Sequence, residues 1–184
     1  MKTLFLFRHA KTAWAKPGQD DHERPLKRRG QKDARDLGRY LEARAPKLDV
    51  ALCSSARRAV DSWQLAVTEM SLPPHTYIEK GLYLCGPETL LRRAQDLPEE
   101  VNSAIIIAHN PDLHILTMDL GARGGENLAA LAHGFPTAGL ARLEFATDSW
   151  SEISGSNDIL LVDFVSPRIL ANHDAMAGGL EAEK

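Results

Sequence analysis

Leu4-Phe5-Leu6-Phe7-Arg8-His9 opens the chain with an apolar run that ends in an arginine and a histidine. Ile105-Ile106-Ile107-Ala108-His109 has a similar arrangement far along the chain, again with a histidine after the run. Continuous apolar runs of this kind are typical of strands that are buried on both faces of a parallel sheet. Because ligands of such sheets bind beyond the carboxyl ends of the strands, we expect the two histidines to share one site.

Short apolar or β-rich runs alternate with amphipathic helical patterns along the rest of the sequence. The predicted strands cover Thr3–Arg8, Val50–Cys53, Thr76–Glu79, Ser103–Ala108, Ala138–Phe145 and Ile159–Phe164. The predicted helices cover Gly30–Arg44, Arg57–Met70, Glu88–Leu97 and Pro111–Leu120, the last of them capped by Asn110. This alternation predicts a three-layer α/β fold, in which helices flank a mostly parallel central sheet of about six strands.

The length of the chain predicts a single domain. It has 184 residues, of which 43% are hydrophobic, enough for one core but not for two. We place the domain at residues 1–171 and a flexible tail at residues 172–184, where the sequence becomes small and polar. The polar stretch Trp14–Arg29 is predicted to be a loop over the site, and Gly121–Gly134 a connection with one helical turn or two.

Charge, cysteine content and hydropathy exclude several classes of function. The formal net charge of −3 argues against a general nucleic-acid-binding surface, so any bound anion must meet a local cluster of arginines. Cys53 and Cys85 cannot form a disulfide framework, and neither has a metal-ligand spacing around it. No apolar stretch approaches the roughly 20 residues of a membrane span. We therefore expect a cytoplasmic protein without nucleic-acid or membrane partners.

Basic side chains recur in four segments that the predicted topology can bring together. They are Arg8 and His9 after the first strand, Arg24 in the following loop, Arg58 after the second strand and His109 after the later one. Three guanidinium groups and two imidazoles around one cavity suit a tetrahedral dianion such as a phosphoryl group, because the arginine fork matches phosphate oxygens. A single histidine at a strand end is more often structural, so the hypothesis depends on the whole set.

In a cavity lined by these groups, a histidine can attack phosphorus through a ring nitrogen, forming a phosphohistidine that water later hydrolyses. We expect His9 to be this nucleophile. His109 would hydrogen-bond a phosphoryl oxygen and stabilise the charge that develops in the transition state. Arg8 and Arg58 would hold the phosphoryl group in line, and Arg24 would close the cavity from the loop.

These segments resemble the histidine phosphatase superfamily. Arg8-His9-Ala10 is similar to its Arg-His-Gly motif, Ser54-Ser55-Ala56-Arg57-Arg58-Ala59 to its Ser-x-x-x-Arg-Ala motif, and His109 to its second histidine. Within the superfamily, Asp21-His22-Glu23-Arg24-Pro25-Leu26 resembles the Asp-x-x-Arg-Pro-Leu loop of the SixA-type phosphohistidine phosphatases. The resemblance runs in order and spacing from Met1 to about Pro167.

The resemblance implies a phosphoglycerate mutase-like fold and a phosphatase that needs neither a metal nor a cofactor, with His9 as its nucleophile. The implied phosphate ligands are Arg8, Arg24, Arg58 and His109. Arg58 rather than Arg57 takes the motif position, because Ala59 follows it. Ala10 replaces the usual glycine, which is a small change if the backbone dihedrals there are ordinary.

The sequence departs from the larger members of the family at the general acid. Those members carry a glutamate that protonates the leaving alcohol, whereas Gly81 stands where we would place it here. Asp21 and Glu88 are the candidate acids, and Asp21 is better suited to orienting Arg24. An alkoxide needs a proton to leave, whereas an imidazole, with a conjugate-acid pKa of about 6.5, leaves more readily. The missing glutamate therefore favours phosphohistidine, on a protein or as a small phosphoramidate.

Two alternatives stay open at this point: a small-molecule phosphomonoesterase, and a phosphate- or phosphoprotein-binding module with little turnover. A mutase is less favoured, because so short a chain has few residues with which to build a closed pocket. The expected partner is a phosphorylated protein, such as a histidine phosphotransfer domain, or a small phosphorylated substrate. The sequence does not indicate an oligomeric state.

Overall fold

A computed structural model of the chain describes residues 1–45, 47–121, 125–155 and 159–171. Within these ranges six strands form one sheet: β1 (Lys2–Arg8), β2 (Val50–Ser54), β3 (His75–Glu79), β4 (Ser103–Ala108), β5 (Leu140–Phe145) and β6 (Ile159–Val165). Their order across the sheet is β3-β2-β4-β1-β5-β6. The β1–β4, β2–β4 and β2–β3 pairs are parallel, whereas β5 runs antiparallel to β1 and β6. The predicted mostly parallel sheet is therefore confirmed.

Helices cover both faces of this sheet, as the three-layer prediction requires. They are α1 (Arg28–Arg44), α2 (Arg57–Val67), α3 (Pro87–Gln95), α4 (Asp112–Leu120) and α5 (Glu126–Ala132). Phe5 and Phe7 pack with α1 and α2 in one core, whereas Leu4 and Leu6 pack with the other helices in a second core. Because successive side chains of a strand point to opposite faces, a strand that serves two cores must be apolar throughout. This requirement explains the apolar run at the start of the chain.

The sheet topology brings the predicted site residues to one edge. Arg8 is the last residue of β1, Ser54 is the last residue of β2, and His109 directly follows β4. These three strands are parallel neighbours, and Arg8 lies opposite Ala108 in the β1–β4 register. Parallel strands end at the same edge of a sheet, so His9 and His109 leave it side by side.

β5 begins two residues later than predicted, at Leu140 rather than Ala138. Ala138 has a φ of +56°, a left-handed conformation that a strand cannot contain. Its amide N–H donates to the carbonyl oxygens of Arg8 and His9, and the Gly139 N–H closes a turn onto the carbonyl of Pro136 at 2.9 Å. This turn fixes the chain against the end of β1 before the strand starts.

The predicted start of the fourth helix is also wrong by one residue. α4 begins at Asp112, Pro111 precedes it as the cap residue, and the Asn110–Pro111 peptide bond is cis. The Asn110 side chain does not cap the helix. Its amide instead donates to the carbonyl oxygen of Phe135 at 3.0 Å, a partner far away in sequence.

The other predicted elements are present, with ends displaced by up to three residues, as at α2, which stops at Val67 instead of Met70. The predicted connection Gly121–Gly134 contains α5, which has two turns. Residues 122–124 of that connection and the predicted tail at 172–184 lie outside the described residues. No helix within the described ranges has the length and apolar character needed to cross a membrane.

The contact between α1 and α2 allows a direct test of the packing. A Cβ atom added at Gly38 of α1 would lie 2.2 Å from the carbonyl oxygen of Ala66 in α2. Alanine improves helix propensity by about 1 kcal/mol, but forcing two backbones apart typically costs about 1–3 kcal/mol or more. We expect Gly38→Ala to lower the free energy of unfolding, measured by urea denaturation.

The matched control is Gly81→Ala, because no atom lies within 4 Å of a Cβ atom added at that position. That variant should unfold at nearly the same urea concentration as the unchanged chain. Equal stability of the Gly38 and Gly81 variants would contradict the close approach of the two helices.

Candidate active site

A cavity of about 350 Å³ lies at the edge of the sheet where β1, β2 and β4 end. Its wall contains all five basic residues that were predicted to converge: Arg8, His9, Arg24, Arg58 and His109. Asp21, Asn110 and Thr137 also line it, whereas Glu88 is exposed to solvent and is not part of the wall. A volume of this size suits one small polar group such as phosphoryl together with part of its carrier.

The ring of His9 is fixed by the backbone that follows it. Its Nδ1 lies 2.9 Å from the carbonyl oxygen of Ala10, and because that oxygen can only accept, Nδ1 carries the proton. The Ala10 amide donates in turn to the hydroxyl of Ser62 at 2.9 Å. Gly30 lets α1 approach this segment, since a Cβ atom there would lie 2.2 Å from the carbonyl oxygen of Lys11. Because Nδ1 is the protonated ring nitrogen of His9, the other ring nitrogen, Nε2, carries a lone pair.

His109 lies beside His9, with 5.2 Å between the ring centroids. The hydroxyl of Ser54, at the end of β2, lies 2.8 Å from Nε2 of His109. Nδ1 of the same ring is buried and has no partner among the described residues. If Ser54 donates to Nε2, then Nδ1 carries the proton and is left to donate to a bound oxyanion.

Burial determines the charge of both imidazoles. Burial, the largest cause, and the nearby charges of Arg58, Arg8 and Arg24 together lower the pKa of His9 to about 3, against the opposing effect of the Ala10 hydrogen bond. The pKa of His109 is also lowered to about 3, first by burial and then by the neighbouring His9 and Arg58. Both rings are therefore neutral at neutral pH, and Nε2 of His9 keeps its lone pair.

Asp21 connects two of the three guanidinium groups. Its carboxylate accepts from Nη1 of Arg24 at 2.9 Å and lies 3.1 Å from Nη2 of the buried Arg58. Its backbone carbonyl accepts from Nη1 of Arg58 at 2.7 Å. Hydrogen bonds from Arg24 and from Tyr83 lower the pKa of Asp21 to about 2. This carboxylate stays ionised and orients the two arginines, so the geometry favours the orienting role over that of a proton donor.

Tyr83 is a site residue that the sequence did not single out. Its hydroxyl donates to Oδ2 of Asp21 at 2.8 Å, and its ring packs edge-on against His109 with 5.5 Å between the centroids. The guanidinium of Arg58 lies 5.5 Å from the centre of the same ring. Tyr83 lies two residues after Gly81, but no sequence pattern marks a tyrosine as a partner for three separate segments.

Arg8 has a different environment from the other two arginines. Its Nη1 donates to the carbonyl oxygen of Phe135 at 2.6 Å, while its buried Nε has no partner among the described residues. Asn110 donates to the same carbonyl, and its Oδ1 is likewise unpartnered there. Arg57, by contrast, forms an exposed ion pair with Asp61 at 3.5 Å and does not line the cavity.

The arrangement can bind a tetrahedral oxyanion and place it against a neutral nucleophile. Three guanidinium groups supply positive charge, and Asp21 cancels only part of it. Buried donors without a partner carry a cost unless a ligand accepts from them, so the buried Nε of Arg8 suits an acceptor-rich ligand, as does Nδ1 of His109 in the tautomer in which Nε2 accepts from Ser54. Among the described residues, no group of three or more His, Cys, Asp or Glu side chains could hold a metal ion.

Comparisons with known proteins agree with this geometry. Residues 4–79 match the family model described as the histidine phosphatase superfamily (branch 1). An uncharacterised protein of Mycobacterium tuberculosis is 34% identical over 164 residues, which cover 88% of this chain and 99% of that protein. This relative therefore matches nearly the whole of the chain.

Two solved structures are also similar to this chain. A candidate phosphohistidine phosphatase SixA from Agrobacterium tumefaciens is 31% identical, with a TM-score of 0.73 and coverage of 90% of this chain and 98% of that one. A SixA structure from Nakamurella multipartitia, 23% identical, has the same fold, with a TM-score of 0.77 and coverage of 90% and 96%. From the matched motifs, the cavity and these relatives together, the chain belongs to the histidine phosphatase superfamily, as a SixA-like phosphatase.

Proposed function

We propose that the chain is a phosphohistidine phosphatase that works through a phosphoryl group carried on Nε2 of His9. The observation that carries the proposal is the neutral His9 ring, with Nδ1 bound to the Ala10 carbonyl and the other nitrogen free, in a cavity lined by three arginines. The similarity to a candidate phosphohistidine phosphatase at 31% identity supports the same substrate class.

In the first step the lone pair of His9 Nε2 forms a bond to phosphorus while the phosphorus–nitrogen bond of the substrate breaks. The three equatorial oxygens accept from Arg8, Arg24 and Arg58, which neutralise the charge as it spreads in the transition state. His109 donates its Nδ1 proton to one of these oxygens.

The second step returns the enzyme to its starting state. Water adds to phosphorus and the bond to Nε2 breaks, so that His9 leaves as a neutral imidazole with its proton still on Nδ1. The phosphate takes both hydrogens of the water and departs as the dihydrogen anion. Charge and protons therefore balance in this step without a metal or a further proton donor.

The lack of a free acid in the cavity supports a phosphoramidate over a phosphate ester. Among the described residues, Asp21 is the one carboxylate on the wall, and its hydrogen bonds hold its pKa near 2. Glu88, the other candidate, is exposed and outside the cavity. A phosphohistidine whose second ring nitrogen is protonated releases a neutral imidazole without help, whereas an ester must release an alkoxide or find a proton.

A substrate comparison tests this proposal. We expect kcat/KM for phosphohistidine to exceed that for alkyl phosphate monoesters by a factor of about 100 or more, the usual contribution of a general acid. Aryl esters with acidic leaving groups should fall between the two. The measurement is steady-state phosphate release with each compound at one pH. A higher kcat/KM for alkyl esters than for phosphohistidine would contradict the proposal and favour the phosphomonoesterase alternative.

The role of Arg58 can be tested against its neighbour in sequence. Arg58→Ala removes a buried guanidinium on the cavity wall and should lower kcat/KM about 100- to 1000-fold, as loss of an oxyanion donor does elsewhere. Arg57→Ala removes an exposed guanidinium paired with Asp61 and should change kcat/KM less than about threefold. Similar losses in the two variants would refute the assignment of Arg58 as the phosphate ligand.

A further inference from the structure

Basic side chains lie at the mouth of the catalytic cavity, in the segment that connects β1 to α1. Lys11 follows the nucleophile by two residues, Lys27 immediately precedes α1, and both line the cavity. Arg168, at the far end of the described chain, is a third exposed cation on the same side of the molecule. We call Lys11, Lys27 and Arg168 the basic rim.

A second cavity, of about 230 Å³, adjoins the catalytic one. Lys11 and Thr137 line both cavities, and Arg168 lies on the wall of the second. One carboxylate, Asp33, also lines the second cavity, and Arg29 lies within 3.7 Å of it. The charge of Arg29 thus balances the charge of Asp33. No other carboxylate among the described residues lines the second cavity, so none there neutralises the charge of Lys11 or Arg168.

The side chains of the basic rim have no ionic partner in the part of the chain that the structure describes. Within the described residues, no carboxylate lies at ion-pair distance from Lys11, Lys27 or Arg168, and no side-chain hydrogen bond is formed by any of them. The chain as a whole carries a net charge of −3. A cluster of unpaired cations around the site of an acidic protein concentrates anions there and attracts a ligand with more negative charge than one phosphoryl group.

The extent of the surface indicates a polypeptide rather than a small molecule. A third cavity, of about 640 Å³, shares Arg8 and Asn110 with the catalytic cavity and Arg168 with the second. One drug-sized ligand fills about 300–1,000 Å³. The three adjoining cavities taken together exceed that range, which is more space than a small phosphorylated metabolite needs. Trp14, whose side chain is 84% exposed, lines the catalytic cavity at its mouth and offers a flat apolar surface there.

We infer that the basic rim binds acidic side chains that flank the phosphohistidine of a polypeptide substrate, with Trp14 packing against the intervening residues. The inference rests on the proposed function, because it assigns the partner of the same site. The phosphoryl group enters the cavity between His9 and His109. Carboxylates before or after it in the peptide reach Lys11 and Lys27 at the mouth and Arg168 beyond them.

Two synthetic peptides of equal length test the inference. Each carries one phosphohistidine, flanked by glutamates in one peptide and by lysines in the other, and kcat/KM is measured for both at low salt. We expect the glutamate peptide to be hydrolysed at least about tenfold more efficiently, and its advantage to shrink at about 0.5 M salt, where exposed charges are screened.

Charge reversal at the rim provides the second measurement. The double variant Lys11→Glu, Arg168→Glu should lower the ratio of the two kcat/KM values by at least about fivefold. Lys80→Glu, an exposed lysine that lines none of these cavities, should leave the ratio as it is. A variant that folds poorly lowers both values together, so the ratio still reports recognition.

The outcomes separate this inference from the proposed function. Equal hydrolysis of the two peptides by the unchanged chain would overturn the inference and leave the proposed function standing. Hydrolysis of phosphate esters without hydrolysis of either peptide or of free phosphohistidine would overturn the proposed function. A ratio that the double variant does not change would show that the basic rim is not the recognition surface.

Discussion

The exclusion of water from two imidazoles beside three guanidinium groups is the constraint on which the rest of this site depends. An imidazolium next to Arg8, Arg24 and Arg58 would be repelled and poorly solvated, so His9 and His109 stay neutral. His9, the proposed nucleophile, thereby needs no separate base to deprotonate it. Asp21, the one carboxylate that the described residues place on the cavity wall, offsets part of the arginine charge. Through the hydrogen bonds that it accepts, it also fixes where two of the guanidinium groups lie.

The sheet topology supplies the geometry that this constraint requires. β1 lies between β4 and β5, and its neighbour β4 ends at the same edge, so two histidines far apart in sequence emerge together. β2 then places Ser54 against His109, and α2, which starts at Arg57, carries Arg58 in its first turn. The turn at Ala138 is hydrogen-bonded to the carbonyls of Arg8 and His9, which holds the end of β1 in place. His9 therefore directly follows a strand whose end is held by hydrogen bonds.

The sequence predicted the location of the site best where site residues directly follow the strands. The apolar runs predicted the strands, and residues directly after them, His9 and His109, were correctly expected to line one cavity with Arg8, Arg24 and Arg58. These predictions depend on local patterns and on family motifs that fix both residue type and spacing. The roles of the five residues in the reaction stay predictions, because geometry alone shows where they lie and not what they do.

The features that the sequence did not reveal all arise from contacts between distant segments. Tyr83 matters because Asp21, Arg58 and His109 happen to meet around it. The sequence predicts Asn110 to be a helix cap, but its side-chain amide donates a hydrogen bond to the carbonyl oxygen of Phe135 instead. No periodicity predicts such partners, since they are set by the packing of whole elements. For the same reason the sequence does not show that Glu88, a candidate acid, lies outside the cavity. The packing of α3, which carries Glu88, determines this.

The protonation state of His9 is the most direct test of this account. Nitrogen-15 NMR of histidine-labelled protein, with His9→Ala and His109→Ala for assignment, reports the charge and tautomer of each ring as the pH is lowered. We expect His9 to keep its proton on Nδ1 and to remain neutral to about pH 4, because its pKa is lowered to about 3. A His9 ring that becomes charged near the ordinary histidine pKa of about 6.5 would contradict the account.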